Sequence, residues 1–286
     1  MPGPFAFAFD PVVRLGDSAS VRIETVALAI VLFVGLLLAV RASSTSALPL
    51  RLDDLAFMVV GAVPGAIFGG RLGYVLDHLS YYRANPSAIA DPAQGSLTLT
   101  LAVPFGILTA SVVARLLGAP ISRWMHALVP SLLFTLAAGK LIGVLGGSGQ
   151  GTPVDGPWAT AYLGAGPWGS LVADVPSHAS QVYEATLVVV VVVAMALITR
   201  LPSVRRGNGS ALFAALGLWA LARFSVAFTW RDAAVLGPLR MEQILLICVA
   251  LVCLVGFVLR ARSRERTPVP PTNEPAIDLS GEANPA

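Results

Sequence analysis

Seven stretches of about 20 mostly apolar residues run through this chain of 286 residues, and each is long enough to cross a bilayer as a helix. Charged residues make up only 12% of the chain, whereas soluble globular proteins carry roughly 25%. The sequence therefore predicts an all-α integral membrane protein with about seven transmembrane helices. The predicted segments are roughly 22–41, 53–77, 97–117, 123–146, 181–200, 210–230 and 241–260.

Lysine and arginine are unevenly shared between the two sets of segment ends. Eleven flank the ends that would lie on one side of the bilayer, and five flank the opposite ends. Because cytoplasmic loops carry the excess of Lys and Arg, the N-terminus is predicted outside and the C-terminus in the cytoplasm. The predicted organisation is an extracytoplasmic N-terminal segment (1–21), a membrane domain (22–260) with an outer arm at 147–180, and a disordered cytoplasmic tail (261–286).

Three cations lie inside the apolar segments, namely Arg71, Lys140 and Arg223. Charge at membrane depth is costly, so such residues usually face a cavity and take part in function. In the predicted topology all three fall six or seven residues before the outer ends of their segments, a depth of about 10 Å at about 1.5 Å per residue. We expect them to converge on a pocket for an anionic lipid headgroup. For Arg71 the alternative is a side chain that snorkels to the surface.

A dense polar cluster, 178–184 (HASQVYE), leads into the fifth segment at the same depth. Gln181 and Tyr183 begin that segment, and His178 lies on the approach loop. Glu184 would be an acid inside the outer leaflet, which needs a cationic partner, and Arg223 is the candidate. A purely structural ion pair is the alternative interpretation.

The fourth segment ends in a run of glycines that follows Lys140 and extends to Gly151. Such a glycine-rich exit can wrap backbone N–H groups around an anion. The alternative is an ordinary flexible helix end.

Several classes of function are disfavoured by the residue pattern. The three histidines have no metal-ligand spacing, so no metal is expected, and nothing indicates another cofactor. Most arginines flank apolar runs, so nucleic acid is not an expected partner. The last segment, 241–260, contains no lysine for a Schiff base, which argues against a retinal protein. A transporter would more often show internal repeats, and none is apparent.

Several motifs, in this order, resemble the prolipoprotein diacylglyceryl transferase family over residues 9–260. The most specific is 178–184, which is similar to the family's HPSQLYE. Arg223 matches a late arginine of the family, and Gln243 matches a glutamine before its last helix. The remaining matching segments are 9–12 (FDPV), 69–76 (GGRLGYVL), 139–141 (GKL) and 151–158 (GTPVDGPW).

The resemblance implies a multi-pass enzyme of the bacterial cytoplasmic membrane. Its implied activity is transfer of a diacylglyceryl group from phosphatidylglycerol to the lipobox cysteine in a pre-lipoprotein signal peptide, with release of glycerol phosphate. The catalytic residues would be Arg223, Glu184, His178 and Tyr183. The phosphatidylglycerol headgroup would be bound by Arg71, Lys140, Arg223, Gln181 and Gly151.

The chain departs from the family pattern at several polar positions. The family's HGG histidine is absent from the start of the third segment, 97–102 (LTLTLA). Lys140 stands in place of an arginine, and a glutamate of the family falls on Ser148. Glu184 or His178 would then replace the missing base. The alternatives are a relative that binds phosphatidylglycerol or lipoprotein precursors without transfer, and an unrelated seven-helix receptor or transporter.

Overall fold

The computed structural model describes residues 3–15, 19–46, 50–91, 93–164, 166–205 and 207–262. The predicted cytoplasmic tail, 261–286, lies outside the described residues except for its first two positions.

Seven helices in the described part of the chain are long and apolar enough to cross a membrane, which confirms the predicted class of fold. Three shorter helices connect them. In chain order the helices are α1 (Ile23–Ser44), α2 (Leu52–Asp77), α3 (Leu79–Ala84), α4 (Leu99–Leu116), α5 (Ile121–Ala127), α6 (Val129–Gly146), α7 (Ser180–Ile198), α8 (Pro202–Arg205), α9 (Ser210–Val226) and α10 (Met241–Arg262).

The predicted fourth segment, 123–146, is wrong as one continuous helix. The chain forms the short helix α5, and α6 begins only at Val129. Pro130 lies in the first turn of α6, where its missing N–H costs no helical hydrogen bond. A proline there cannot continue a preceding helix without losing such a bond, so the segment divides.

Short strands gather at one end of the helical bundle, which we call the strand end. They precede α1, α7 and α10 or follow α6 and α9. They are β1 (Phe5–Phe7), β2 (Val12–Leu15), β3 (Ala19–Arg22), β4 (Ala159–Tyr162), β5 (Ser177–His178), β6 (Ala234–Leu236) and β7 (Leu239–Arg240). The first strand pairs with strands of the 147–180 arm in the order β1-β4-β5, with β1 parallel and β5 antiparallel to β4. These strands were not predicted from the sequence.

The bundle buries an apolar core between α6, α7, α9 and α10. Leu133, Val188, Trp219 and Leu246 meet there, and each is almost fully buried. The outer faces of the helices are equally apolar but exposed, as with Val60, which is 69% exposed on α2. Apolar residues on all sides are expected of helices whose outer faces contact lipid.

Helices α2 and α4 approach each other along a row of glycines. A Cβ atom at Gly65 would lie 2.5 Å from the carbonyl oxygen of Phe105. Gly69 and Gly73 face the backbone and side chains of α4 in the same way, at intervals of four residues. Small residues in this spacing let two membrane helices come into backbone contact. This contact fixes the start of α4 beside the end of α2, at the strand end.

We expect Gly65→Ala to destabilise the protein, because the new methyl group would push against a backbone oxygen that cannot rotate away. Overpacking of this kind typically costs about 1–3 kcal/mol. The thermal midpoint of the purified protein in detergent should fall by several degrees relative to wild type.

The matched control is Gly217→Ala in α9, where the added Cβ would lie 3.4 Å from the Cβ of Cys253, an ordinary contact. That variant should melt at or slightly above the wild-type temperature, because alanine favours helix over glycine. Equal melting of the two variants would contradict the described α2–α4 contact.

Candidate functional site

A chamber of about 780 Å³ opens among the helices at the strand end. This volume falls in the range of small-molecule sites, roughly 300–1,000 Å³. Its wall carries both charged and apolar side chains. On α1 and α6 the leucines lie one or two turns farther from the strand end than Glu24 and Lys140, and two more leucines lie at and just before the start of α4. The leucines are Leu28, Leu32, Leu97, Leu99 and Leu136.

Arg223 of α9 binds two carboxylates from neighbouring helices. Its Nη1 donates to Glu184 of α7, and its Nη2 donates to Glu242 of α10 at 2.6 Å. Its Nε also lies 3.2 Å from Glu242 and 3.2 Å from the hydroxyl of Thr100 on α4, and that hydroxyl donates to Glu242. The Trp230 ring covers the guanidinium, with its centroid 4.5 Å from Cζ. The predicted Glu184–Arg223 pair is therefore present, within a larger network.

Lys140 of α6 completes this network and also faces the open chamber. Its Nζ lies 3.2 Å from Oε2 of Glu184. A lysine ammonium carries three N–H donors, and the side chain is 26% exposed. Two cations and two carboxylates, Glu184 and Glu242, thus balance in formal charge. Lys140 is the more exposed of the two cations, 26% against 5% for Arg223, and it retains donors for a ligand.

Glycines place the end of α6 over the chamber. A Cβ at Gly143 would lie 2.6 Å from the carbonyl oxygen of Ser148, so the chain folds back over the last turn only because that position is glycine. Gly147 ends α6 in the left-handed conformation, with φ of 75°. The predicted fourth segment and α6 end at the same residue, Gly146. Ser148, Gly149 and Gln150 form part of the chamber wall as a result.

Gln181 lines the chamber from the first turn of α7. Its side-chain nitrogen donates to the hydroxyl of Tyr162 at 3.0 Å. Burial raises the pKa of Tyr162 to about 12, so that hydroxyl stays protonated at physiological pH. The side-chain oxygen of Gln181 is buried without a hydrogen-bond partner among the described residues.

Three other predicted site residues, His178, Tyr183 and Gly151, do not line the chamber. Nδ1 of His178 lies 3.5 Å from the hydroxyl of Tyr183. The amide of Gly151 donates to the carbonyl of His178 at 2.8 Å, and its own carbonyl accepts from Arg231 at 2.6 Å. This group of residues joins the 147–180 arm to the start of α7.

The structure does not bring Arg71 into the chamber with Lys140 and Arg223. Its guanidinium donates instead to four backbone carbonyls of the segment that folds back over the end of α2. The distances lie between 2.6 and 2.9 Å. Those carbonyls lie in a short 3-10 helix (Pro86–Ile89) and in the loop after it, where they accept from the guanidinium and so compensate its charge. The four acceptors are Ala88, Ile89, Asp91 and Gln94.

Some chamber residues were not predicted as site residues. Glu24 and Glu242 both line the chamber from the first turns of α1 and α10. Each is an acid inside an apolar segment at the strand end, the same signal that selected Glu184, so the sequence contained the information. Arg231 lines the chamber as well. Thr100, which belongs to the Arg223 network but does not line the chamber, gave no signal, because threonine is common in membrane helices.

The model of the prolipoprotein diacylglyceryl transferase family matches residues 12–259. A protein from Bordetella avium is 34% identical over 268 residues, which cover 91% of this chain and 98% of the relative. One from Geobacter sulfurreducens is 31% identical over 233 residues, covering 78% and 85%. Both relatives are named phosphatidylglycerol–prolipoprotein diacylglyceryl transferase. This chain is therefore a member of the prolipoprotein diacylglyceryl transferase family.

Proposed function

We propose that this protein transfers a diacylglyceryl group from phosphatidylglycerol to the lipobox cysteine thiol of pre-lipoproteins. The product is a thioether, and glycerol phosphate is released. The observation that carries the proposal is the mixed lining of the chamber: Lys140 and the Arg223 network lie toward the strand end, and leucines of α1 and α6 lie deeper in the bundle. A lipid substrate presents the same division between its charged headgroup and its acyl chains.

In the proposed reaction the cysteine sulfur attacks the glycerol carbon of the diacylglyceryl group that bears the phosphate. The carbon–sulfur bond forms as the carbon–oxygen bond breaks, and the electron pair leaves with the phosphate oxygen. Preorganised cations stabilise charge that develops on such a leaving group. Lys140 retains donors for this purpose, and the Arg231 guanidinium borders the same space. Arg71 acts indirectly, by holding the segment that precedes the chamber residues Ser96 and Leu97.

A thiol must lose its proton to attack, because the thiolate is the nucleophile. Of the two predicted bases, Glu184 lines the chamber and His178 does not. Position therefore favours Glu184 as the acceptor of the thiol proton. Tyr183 and His178 contact each other and join the arm to α7, which supports a role in holding Glu184 in place.

We further propose that the strand end faces the outside of the bacterial cytoplasmic membrane. The excess of Lys and Arg at the opposite helix ends supports this orientation. The N-terminal segment and the 147–180 arm are then extracytoplasmic, where a pre-lipoprotein presents its cysteine after export, and 261–286 is cytoplasmic.

The direct test is an assay of purified protein with phosphatidylglycerol and a lipobox peptide. Mass spectrometry should show the peptide gaining one diacylglyceryl group, with glycerol phosphate released in equal amount. Binding of both substrates without this mass change would favour the alternative of a non-catalytic relative.

Arg223→Ala should abolish transfer. The change leaves Glu184 and Glu242 without their shared cation, and breaking a buried pair costs about 3–5 kcal/mol. A double variant, Arg223→Met with Glu242→Gln, removes one charge of each sign and leaves the Lys140–Glu184 ion pair in place. It should fold better than Arg223→Ala, by its melting temperature, and still show no transfer. Activity in the double variant would contradict the assigned role of the network.

Lys140→Met should lower transfer by raising KM for phosphatidylglycerol, because the phosphate loses a charged donor. Such hydrogen bonds contribute about 1.5–3 kcal/mol, so a change of about tenfold or more is expected. Lys140→Arg should retain activity, since a guanidinium also binds phosphate. The matched control is Arg83→Met, which removes an exposed cation near the same end of the bundle. An unchanged KM in Lys140→Met would exclude direct phosphate contact.

The orientation can be tested with a membrane-impermeant thiol reagent on intact cells. A cysteine at exposed Asp174 in the 147–180 arm should react from outside. A cysteine at exposed Leu201, between α7 and α8, should react only after the membrane is permeabilised. The wild-type protein, with Cys248 and Cys253 inside α10, controls for background labelling. The reverse pattern would overturn the proposed topology.

A further inference from the structure

Two acceptor oxygens on the chamber wall have no donor from the described part of the chain. One belongs to Glu24 of α1, and the other belongs to Gln181 of α7. Buried polar atoms in proteins are nearly always hydrogen-bonded, so the buried Gln181 oxygen indicates that a ligand supplies its donor. The Glu24 oxygen belongs to a partly exposed side chain on the same wall and can accept from the same ligand.

Glu24 is held in a fixed position through only one of its two carboxylate oxygens. Oε2 accepts from Ser148 Oγ at 2.8 Å and lies 3.3 Å from Nη2 of Arg22. A Cβ at Gly146 would overlap this carboxylate, so the missing side chain there creates its space. Oε1 has no hydrogen-bond donor among the described residues, and the Glu24 side chain is 22% exposed.

Gln181 is fixed in a comparable way. Its nitrogen donates to Tyr162, which leaves its oxygen as the unpartnered atom, and the residue is only 2% exposed. The two acceptors approach the same turn of backbone. Glu24 contacts Ser148, and a Cβ at the next residue, Gly149, would lie 3.7 Å from the Cβ of Gln181.

We propose that Glu24 and Gln181 together recognise the two free hydroxyls on the glycerol headgroup of the lipid substrate. This inference rests on the proposed function and adds a specificity determinant to it. A vicinal diol brings two donors on adjacent carbons, which suits two acceptors around one turn. Arg22 compensates the charge of Glu24, so the carboxylate serves as an acceptor without repelling the nearby phosphate.

The recognition can be isolated with two lipids that differ only in the hydroxyls. Phosphatidylglycerol and phosphatidylpropanol share the acyl chains, the phosphate and the three-carbon headgroup, but only the first carries the diol. Wild-type protein should show a higher kcat/KM with phosphatidylglycerol. In Glu24→Ala the ratio of kcat/KM for phosphatidylglycerol to kcat/KM for phosphatidylpropanol should fall by about tenfold or more, the size expected for a charged hydrogen bond. The value of kcat/KM with phosphatidylpropanol should stay within about twofold of wild type, a change of roughly 0.4 kcal/mol.

Glu24→Gln and Asp174→Asn complete the series. Glu24→Gln keeps an acceptor oxygen of the same reach and should retain part of the preference. Asp174→Asn changes an exposed acid on the arm, where the structure gives it no contact with the chamber, and should behave as wild type. Melting temperatures identify any variant that fails to fold.

The outcomes separate this inference from the proposed function. Wild-type protein that transfers from neither lipid would refute the proposed function itself. Wild-type transfer with an equal loss for both lipids in Glu24→Ala would refute diol recognition, and would indicate a structural or proton-accepting role for Glu24. An unchanged preference in that variant would refute it as well.

Discussion

The structure of the site depends on Arg223, whose guanidinium bridges the carboxylates of Glu184 and Glu242. This one guanidinium joins α9 to α7 and α10, and Thr100 extends the same network to α4. A buried charge is tolerated only when its partners are close and well aligned, because removal from water costs several kcal/mol per ion. The network therefore fixes the relative positions of four helices at the depth of the chamber. Apolar residues of similar volume would fill that space at lower cost, so retention of the charges argues for a function.

The three cations differ in the groups that compensate their charge, and therefore in their roles. Arg223 is buried, bound to two carboxylates and covered by Trp230, so its main effect is to organise the wall. Lys140 touches one carboxylate and has donors left, which makes it the closer match to a lipid phosphate. Arg71 lies at a comparable position in its helix, but its guanidinium donates to backbone carbonyls of the 78–96 segment. Three cations that looked alike in the sequence thus have three different environments.

The sequence predicted the features that are local or that depend on membrane depth. The seven spans follow from runs of apolar residues, and the Glu184–Arg223 pair follows from two opposite charges at one depth. The environment of Arg71 did not follow, because its acceptors belong to an irregular segment without periodicity. The short strands could not be predicted either. Strand β1 pairs with β4, which lies about 150 residues away, and neither strand is long enough to show alternation of apolar and polar residues. Glu24 was overlooked although its position carried the same signal as Glu184.

A structure with bound phosphatidylglycerol, or with a non-reactive analogue, would show where the headgroup lies. We expect the phosphate within about 4 Å of Nζ of Lys140, the distance of a close ion pair, with Arg223 still bridging Glu184 and Glu242. The acyl chains should follow the leucines of α1, α4 and α6. A headgroup bound outside the chamber, or Lys140 and Arg223 turned apart toward separate surroundings, would contradict this expectation.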